Sequence, residues 1–508
     1  MSKRVSGKTL GLALGPLFLV ALLLSPPLPG ALEAAQRARL PSYTHVHFSL
    51  GVLLWTATWW VSECVPLGLA GLVPVIAFSM AGILAWKEAL VSFMDPTIWI
   101  FMGGFTIAQA FKVWGLDRRI AVRVGSLYRG SRPELLAFFA AALPTFILTI
   151  SGSITAATSI VFPIVLALLR SMGFKPGSRY AEATMLALGQ AATAGAMLFL
   201  VSTPPNLIAK KVIEDAVPGF NLTFIDWLVV GTPHALIGLV LTWAVVFALV
   251  KPEVVGTSEA RRQLLREAES LPSMSRGEKM VLAVFAMTLI LWIAPGLAAI
   301  LAAGNPQLEP LAANMRKLLP EAAPAVLAIL LLGLLRASGR PLLTWKDIEE
   351  GIDWNVVFLF GGGIALSKGL EKGGFAHWVS QVASAALGAK PTEWQLIAVS
   401  ALMGFAITYP ASNTASALIS APIAATIARA LGYNPVPAVI ATALACSISS
   451  ALPSTTPPMA MIYGSGMVSM KNMFKVGMVA DTLRLVLLIL LTPYLANTLL
   501  AIKGYKAP

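Results

Sequence analysis

Apolar residues in this chain gather into runs of bilayer-crossing length, separated by short polar joints. A span of about 20 apolar residues covers the hydrocarbon core. Runs of that kind lie at 9–32, 46–62, 66–85, 96–115, 181–202, 226–250, 279–303, 322–337, 354–370, 436–452 and 477–501. The pattern predicts an all-α polytopic membrane protein with about eleven transmembrane helices. Two further apolar regions, 134–170 and 393–430, are broken near their middles by Ser151-Gly-Ser-Ile-Thr155 and Ser412-Asn-Thr414. Each is expected to form a re-entrant helix–loop–helix hairpin, because non-helical backbone at that depth is tolerated only inside protein or beside a wet cavity.

The two hairpins are copies of one another. Thr149-Ile-Ser-Gly-Ser153-Ile154-Thr155-Ala156 returns as Thr408-Tyr-Pro-Ala-Ser412-Asn413-Thr414-Ala415, 259 residues later. The same offset carries Pro163 onto Pro422, Arg170 onto Arg429 and Gly173 onto Gly432, and Ile100-Phe-Met-Gly-Gly104 onto Leu359-Phe-Gly-Gly-Gly363. A second pair follows: Ser202-Thr203-Pro204-Pro205-Asn206 matches Thr455-Thr456-Pro457-Pro458-Met459. Adjacent prolines remove two donors and break a helix. Paired repeats with polar interruptions at matching places are the sequence pointer to a transport site near the midplane.

Charge orients these pieces. The chain has 508 residues, 57% hydrophobic and 12% charged, with mean hydropathy +0.78 and net charge +13. That balance leaves no room for a soluble domain, and the excess of Lys and Arg is read as cytoplasmic loop charge, not nucleic-acid affinity. Residues 112–132 hold Lys112, Arg118, Arg119, Arg123, Arg129 and Arg132 against Asp117 alone. The aligned stretch 371–391 holds only Lys372 and Lys390 against Glu371. The first hairpin is therefore expected to enter from the cytoplasm and the second from outside, which makes the repeat inverted. Lys3, Arg4 and Lys8 place the N-terminus inside, and eleven crossings place the C-terminus outside. The apolar N-terminal run could also open as a signal peptide, but a first transmembrane helix is the plainer reading.

A lone Ser-x-Thr in a membrane helix usually serves packing or bonds its own backbone. Two copies in one register, each at a break, point to a binding site instead. Free N–H groups at the broken tips favour an anion, and hydroxyl, carboxamide and carbonyl oxygens suit a small hard cation. Cys64 and Cys446 imply no disulfide, the four histidines form no metal motif, and no nucleophile–base pair or phosphate loop appears. The chain is expected not to be an enzyme and to need no cofactor. Gly103-Gly104 and Gly361-Gly-Gly363 read as close-packing positions. Glu63, an acid between Trp60 and Pro66, is a candidate proton carrier by default, though its place at a span boundary favours a helix-end role.

With the hairpin and Pro-Pro segments, Trp59-Trp60-Val-Ser-Glu63-Cys-Val-Pro66 and Gly115-Leu-Asp-Arg-Arg119-Ile-Ala121 complete a pattern. From about residue 46 onward the chain resembles the divalent anion:sodium symporter family, which carries dicarboxylates, citrate or sulfate. The resemblance implies an elevator-type homodimer in the cell (inner) membrane, with sodium as coupling ion. It implies scaffold helices in 1–90 and 280–350 and repeats in 91–250 and 351–508, with breaks at 203–206 and 456–459 and a cytoplasmic connector at 251–279. It also implies that Ser153, Thr155, Ser412, Asn413 and Thr414 touch substrate, helped by Thr203, Pro204, Thr456 and Pro457. Thr149, Ser153 and the Ser202 carbonyl would frame one sodium site, and Thr408, Asn413 and the Thr455 carbonyl the other. Two positions depart from the pattern: Ile154 stands where the family has Asn, and Met459 where Asn follows the second proline pair. Sodium-driven symport of a small di- or multivalent anion is the expected function. Anion exchange or proton coupling is the alternative that Ile154 opens, and an anion channel is a remote one.

Overall fold

Helices account for almost every element of the computed structural model, which describes residues 7–253, 256–387 and 391–505. Lys3, Arg4 and Lys390, used above for orientation, lie outside the described residues. The sole sheet among these residues is a two-residue ladder pairing Arg336–Ala337 with Arg340–Pro341. Most predicted spans reappear as helices, among them Thr44–Ser62, Pro96–Trp114, Phe224–Val250, Arg276–Gly304, Trp354–Lys372 and Met470–Ile502.

Four expected spans end early or divide. The first helix, Gly7–Leu24, stops short of residue 32, since Pro26 and Pro27 cannot continue it. The run 66–85 divides into Leu67–Ala70 and Leu72–Met80. The run 181–202 is helical only as Arg179–Gly195, and 436–452 only as Pro435–Cys446. Helix resumes after each proline pair as Pro204–Ala216 and Pro457–Gly464. Six helices among the described residues are long and apolar enough to cross a membrane, or seven counting a pair bent by 56° at 306–334. Both arms of the first hairpin are in that set. Length and composition therefore establish six or more candidate spans and do not return the expected eleven.

Each hairpin consists of two helical arms and a tight tip. In the first, Pro133–Ala137 and Leu143–Leu148 flank a π-helical turn, and a 3₁₀ turn leads to the tip and the returning arm Ile154–Ser171. Gly152 reverses the chain there at φ 103°, a left-handed conformation that L side chains resist. In the second, the arms are Glu393–Thr408 and Asn413–Ala430.

The halves interlock. Pro204–Ala216, from the first half, packs on Asn413–Ala430 and Pro435–Cys446 of the second. Reciprocally, Pro457–Gly464 packs on Ile154–Ser171 and Arg179–Gly195. Buried Lys210 ties the first of these short helices to Glu214 and, at 3.4 Å, to Glu321. Neighbouring Lys211 reaches Asp95 at 3.2 Å.

The 251–279 connector contains the helix Ser258–Ser270. Its Ala260 and Leu264 cluster with Tyr128, Leu136, Ala140 and Leu168, so it covers the base of the first hairpin. Arg118 pairs with Glu267 at 3.1 Å, and Arg119 with Glu278 at 2.5 Å.

Gly103, Gly361, Gly362 and Gly363 are packing positions, each leaving under 3 Å for a Cβ, whereas one on Gly104 would meet only Gly152 at 3.8 Å. A Cβ on Gly362 would lie 2.1 Å from the Gly71 carbonyl oxygen, a backbone atom that cannot step aside. Gly362→Ala is therefore expected to destabilise the fold by about 1–3 kcal/mol, the usual cost of overpacking. A thermal-unfolding midpoint in detergent equal to that of the parent protein would contradict this packing.

Candidate functional site

Both hairpin tips are built as helix N-caps. Ser153 caps Ile154–Ser171, its hydroxyl accepting from Ala156 N at 3.1 Å. Ser412 caps Asn413–Ala430 in the same way, accepting from Ala415 N at 3.2 Å. One cap oxygen satisfies one of the four orphan donors at a helix start, so each tip still presents free N–H groups. Thr155 is exposed and Thr414 half-buried, each on the first turn of its returning arm.

Each hairpin is also stitched to the broken helix beside it by the same bond. Thr149 Oγ1 lies 3.0 Å from the Gly195 carbonyl oxygen, and Thr408 Oγ1 lies 2.7 Å from that of Cys446. Gly195 and Cys446 are the last residues of their helices, where carbonyls lack an intrahelical partner. The repeat is thus expressed in hydrogen bonds as well as in letters.

Beyond that bond the halves differ. In the second, Asn413 Oδ1 accepts from Ser449 Oγ at 2.9 Å and lies 2.8 Å from Thr408 Oγ1, whose single proton is shared with the Cys446 carbonyl. Hydroxyl, carboxamide and carbonyl oxygens there form a compact set of neutral hard donors, the chemistry a small alkali cation needs. In the first half, Ile154 takes the place of Asn413. Counted from the helix ends, the residue matching Ser449 is the third after Gly195, which is Leu198. Both members of the polar pair are apolar there, and Leu198 is buried.

The proline breaks are equally regular. Thr203 and Thr456 are extended, with φ/ψ of −155°/150° and −148°/150°, as residues before proline prefer. Pro204 and Pro457 each open the resumed helix, where a missing N–H costs nothing. Ser202 Oγ accepts from Phe199 N, and Thr455 Oγ1 donates to the Leu452 carbonyl. After the first break, Asn206 Nδ2 donates to the carbonyls of Ala196 and Phe199, both at 2.8 Å, and Trp227 Nε1 to that of Met197. Met459 has no such reach; it is fully buried against Gly189.

Several polar atoms in these segments are buried without a partner: Gln190 Oε1, Asn206 Oδ1, Ser447 Oγ and Thr456 Oγ1. Buried polar groups are nearly always paired, so these four, in or beside the unwound segments, are candidates to receive a polar ligand, although unpaired buried atoms such as Ser49 Oγ and Ser79 Oγ also lie elsewhere. Glu63 lies elsewhere, exposed at the C-cap of Thr44–Ser62 in a left-handed conformation (φ 46°), which fits the helix-end role.

Sequence reasoning missed the polar partners that come from other elements. Ser449 and Ser450 lie in the unwound stretch, and Gln190 Nε2 reaches Ser450 Oγ at 2.7 Å from the other half. Asp481 and Arg484 are buried in the last helix. A signal for these two was available, since both fall within the predicted span 477–501, where any ionisable residue is a functional candidate.

Paired tips and broken helices at matching places are the arrangement that inverted-repeat membrane transporters use to hold a substrate. Residues 36–502 match the family described as the sodium:sulfate symporter transmembrane region. The chain belongs to that family and is a multi-pass transporter of its sodium-coupled anion class. A sodium-dependent dicarboxylate transporter, SdcS of Staphylococcus saprophyticus, is 30% identical over 98% of this chain and 93% of its own length. The SdcS of Staphylococcus aureus strain USA300 is 28% identical over the same shares. Among solved structures, Neisseria gonorrhoeae MtrF, described with a class of antimetabolite efflux pumps, matches at TM-score 0.53 and 14% identity, covering 89% of this chain and 98% of that one. That likeness bears on the fold alone.

Proposed function

We propose that this protein takes up a small dianion, a C4-dicarboxylate before citrate or sulfate, driven by sodium entering with it. The observation that carries this reading is the second-hairpin cluster, where Asn413 Oδ1 sits between Thr408 and Ser449 beside the Cys446 carbonyl. The full-length similarity to sodium-dependent dicarboxylate transporters supports the choice of substrate. Ser412, Asn413 and Thr414, with Ser153 and Thr155, hold the anion through hydroxyls and helix N-termini, helped by the Thr203-Pro204 and Thr456-Pro457 turns. Thr408, Asn413 and the Thr455 carbonyl bind the better-built sodium, and Thr149, Ser153 and the Ser202 carbonyl a weaker one.

The moving part is the set of hairpins and broken helices, which their interlock makes one block. It slides as an elevator against the scaffold helices of a homodimer. The first hairpin opens to the cytoplasm and the second to the outside.

Purified protein in liposomes tests the function. Uphill uptake of labelled succinate that collapses without the sodium gradient supports symport. Uptake that requires internal substrate indicates exchange, and uptake that follows only the electrical gradient indicates a channel.

Asn413→Ala and Thr414→Ala are expected to abolish nearly all uptake while leaving the protein folded. Parent-level uptake by both at equal expression would remove the second hairpin from the site.

For orientation, cysteines placed in the loops flanking the two hairpins, after removal of Cys64 and Cys446, should react with an impermeant thiol reagent from opposite faces. Labelling from one face alone would end the inverted reading.

The first sodium site yields a paired prediction. Ile154→Asn alone restores a carboxamide near Thr149, but Leu198, at the position matching Ser449, supplies no second hydroxyl donor. An unmatched buried polar group costs about 1–3 kcal/mol. The single change should therefore leave sodium dependence unchanged or weaker. Ile154→Asn with Leu198→Ser should steepen it and lower the sodium midpoint by roughly tenfold or more. Sodium titrations of uptake that show the single and double variants alike would place Leu198 outside the ion site.

A further inference from the structure

The last helix, Met470–Ile502, carries a carboxylate and a guanidinium one turn apart, both buried at the depth of the broken helices. Asp481 is held by three donors. Ser450 N and Tyr409 Oη both reach Oδ2 at 2.7 Å, and Ser450 Oγ reaches Oδ1 at 2.7 Å. Tyr409 directly follows Thr408 at the second hairpin tip, and Ser450 directly follows Ser449. One carboxylate thus grips the two segments whose neighbours, Thr408 and Ser449, converge on Asn413 Oδ1.

Arg484 faces the other half. Its Nη1 donates to Thr193 Oγ1 at 2.9 Å, and its Nη2 to the Thr193 carbonyl at 3.0 Å. That carbonyl belongs to the last turn of Arg179–Gly195, the end that also receives Thr149. A cation there complements the helix dipole. Arg484 Nη1 and Asp481 Oδ1 lie 3.9 Å apart, so the charges offset each other, and Gln190 closes the circuit by bonding Ser450.

The first half has no copy of this network. Counted from the N-caps Thr223 and Ser469, Asp481 corresponds to Ala235 and Arg484 to Gly238. Gly238 lies against the Arg484 side chain itself. Tyr409 corresponds to Ile150, and Ser450, counted from the helix end, to Phe199. The network accompanies the half that retains the Asn413–Ser449 pair and is absent from the half that has lost its equivalent.

We propose that Asp481 and Arg484 are positioning residues for the second cation site, holding Ser449 and Thr408 in the geometry that Asn413 needs and locking that geometry to the end of the first broken helix. They touch neither ion nor anion and act through Ser450, Tyr409 and Thr193. The inference rests on the sodium-coupled reading of the site, and its test uses sodium alone, without any assumed anion.

Thermal unfolding of the purified full-length protein is followed while sodium replaces choline at constant ionic strength. The midpoint in choline alone reads the structural cost of a substitution. The sodium concentration at which the midpoint begins to rise reads the site, because a ligand stabilises only the form it binds. Asp481→Asn should move that onset upward by roughly tenfold or more, the scale for hydrogen bonds to a charged group. Tyr409→Phe removes one donor and keeps the charge pair, so its onset should rise by about threefold. It carries the test if Asp481→Asn leaves Arg484 too poorly compensated to fold. An onset equal to that of the parent protein, in folded Asp481→Asn or failing that in Tyr409→Phe, overturns the proposal while the sodium reading stands. A parent protein that sodium does not stabilise at all overturns both.

Discussion

Backbone that leaves the helix inside a hydrocarbon layer must find every hydrogen bond within the protein. Two stretches, 196–203 and 447–456, stand under that constraint here, and the middle of the molecule is organised around meeting it. The stretch after Gly195 is closed by Asn206 and Trp227 and tied to the hairpin through Thr149. The stretch after Cys446 is held by Thr408 at its start and by Gln190 and Asp481, the last of which also accepts from Tyr409. A few oxygens remain buried and unpaired. Those of Gln190, Asn206, Ser447 and Thr456 lie in or beside the two breaks, where a polar ligand would meet them, while others such as Ser49 Oγ and Ser79 Oγ lie on other helices.

The two stretches meet the constraint in different ways, and the asymmetry bears on function. Losing one partner of a buried hydrogen bond is costly, whereas replacing both by apolar groups of similar shape is close to neutral. Ile154 and Leu198, matched by position, fit the second case: the carboxamide and the hydroxyl are both absent from the first half. The first half therefore forms its tip without the donor pair that the second half keeps at Asn413 and Ser449. On the proposed reading, a transporter built from two such halves would have one strong and one weak ion position.

Packing joins each hairpin to a helix of the other half. Pro204–Ala216 lies on the second hairpin and Pro457–Gly464 on the first. On the proposed reading, an ion that ordered one hairpin would act on the helix following the other half's proline break through this contact. Lys210 and Lys211, on Pro204–Ala216, reach Glu321 and Asp95 outside this interlocked set. These ion pairs cross the boundary along which the proposed motion would take place.

The sequence by itself determined the membrane class, the repeat, the hairpins, the proline breaks and the two altered positions. Each is a local property: apolar run length, helix-breaking residues and a fixed offset are visible in letters because they act on the backbone within a few residues. The stops at Gly195 and Cys446 were not legible, because a helix inside a membrane ends early only where distant groups such as Asn206, Trp227 and Asp481 take over its backbone. The pairing of Asn413 with Ser449 was hidden by the differing lengths of the unwound stretches, which put Ser449 and its counterpart Leu198 out of the repeat's register. Asp481 and Arg484 were present as letters in a predicted span, yet no periodicity linked them to the hairpin. Only the tertiary structure places one turn of the last helix against both breaks, because that contact joins residues dozens to hundreds of positions apart through the packing of several helices.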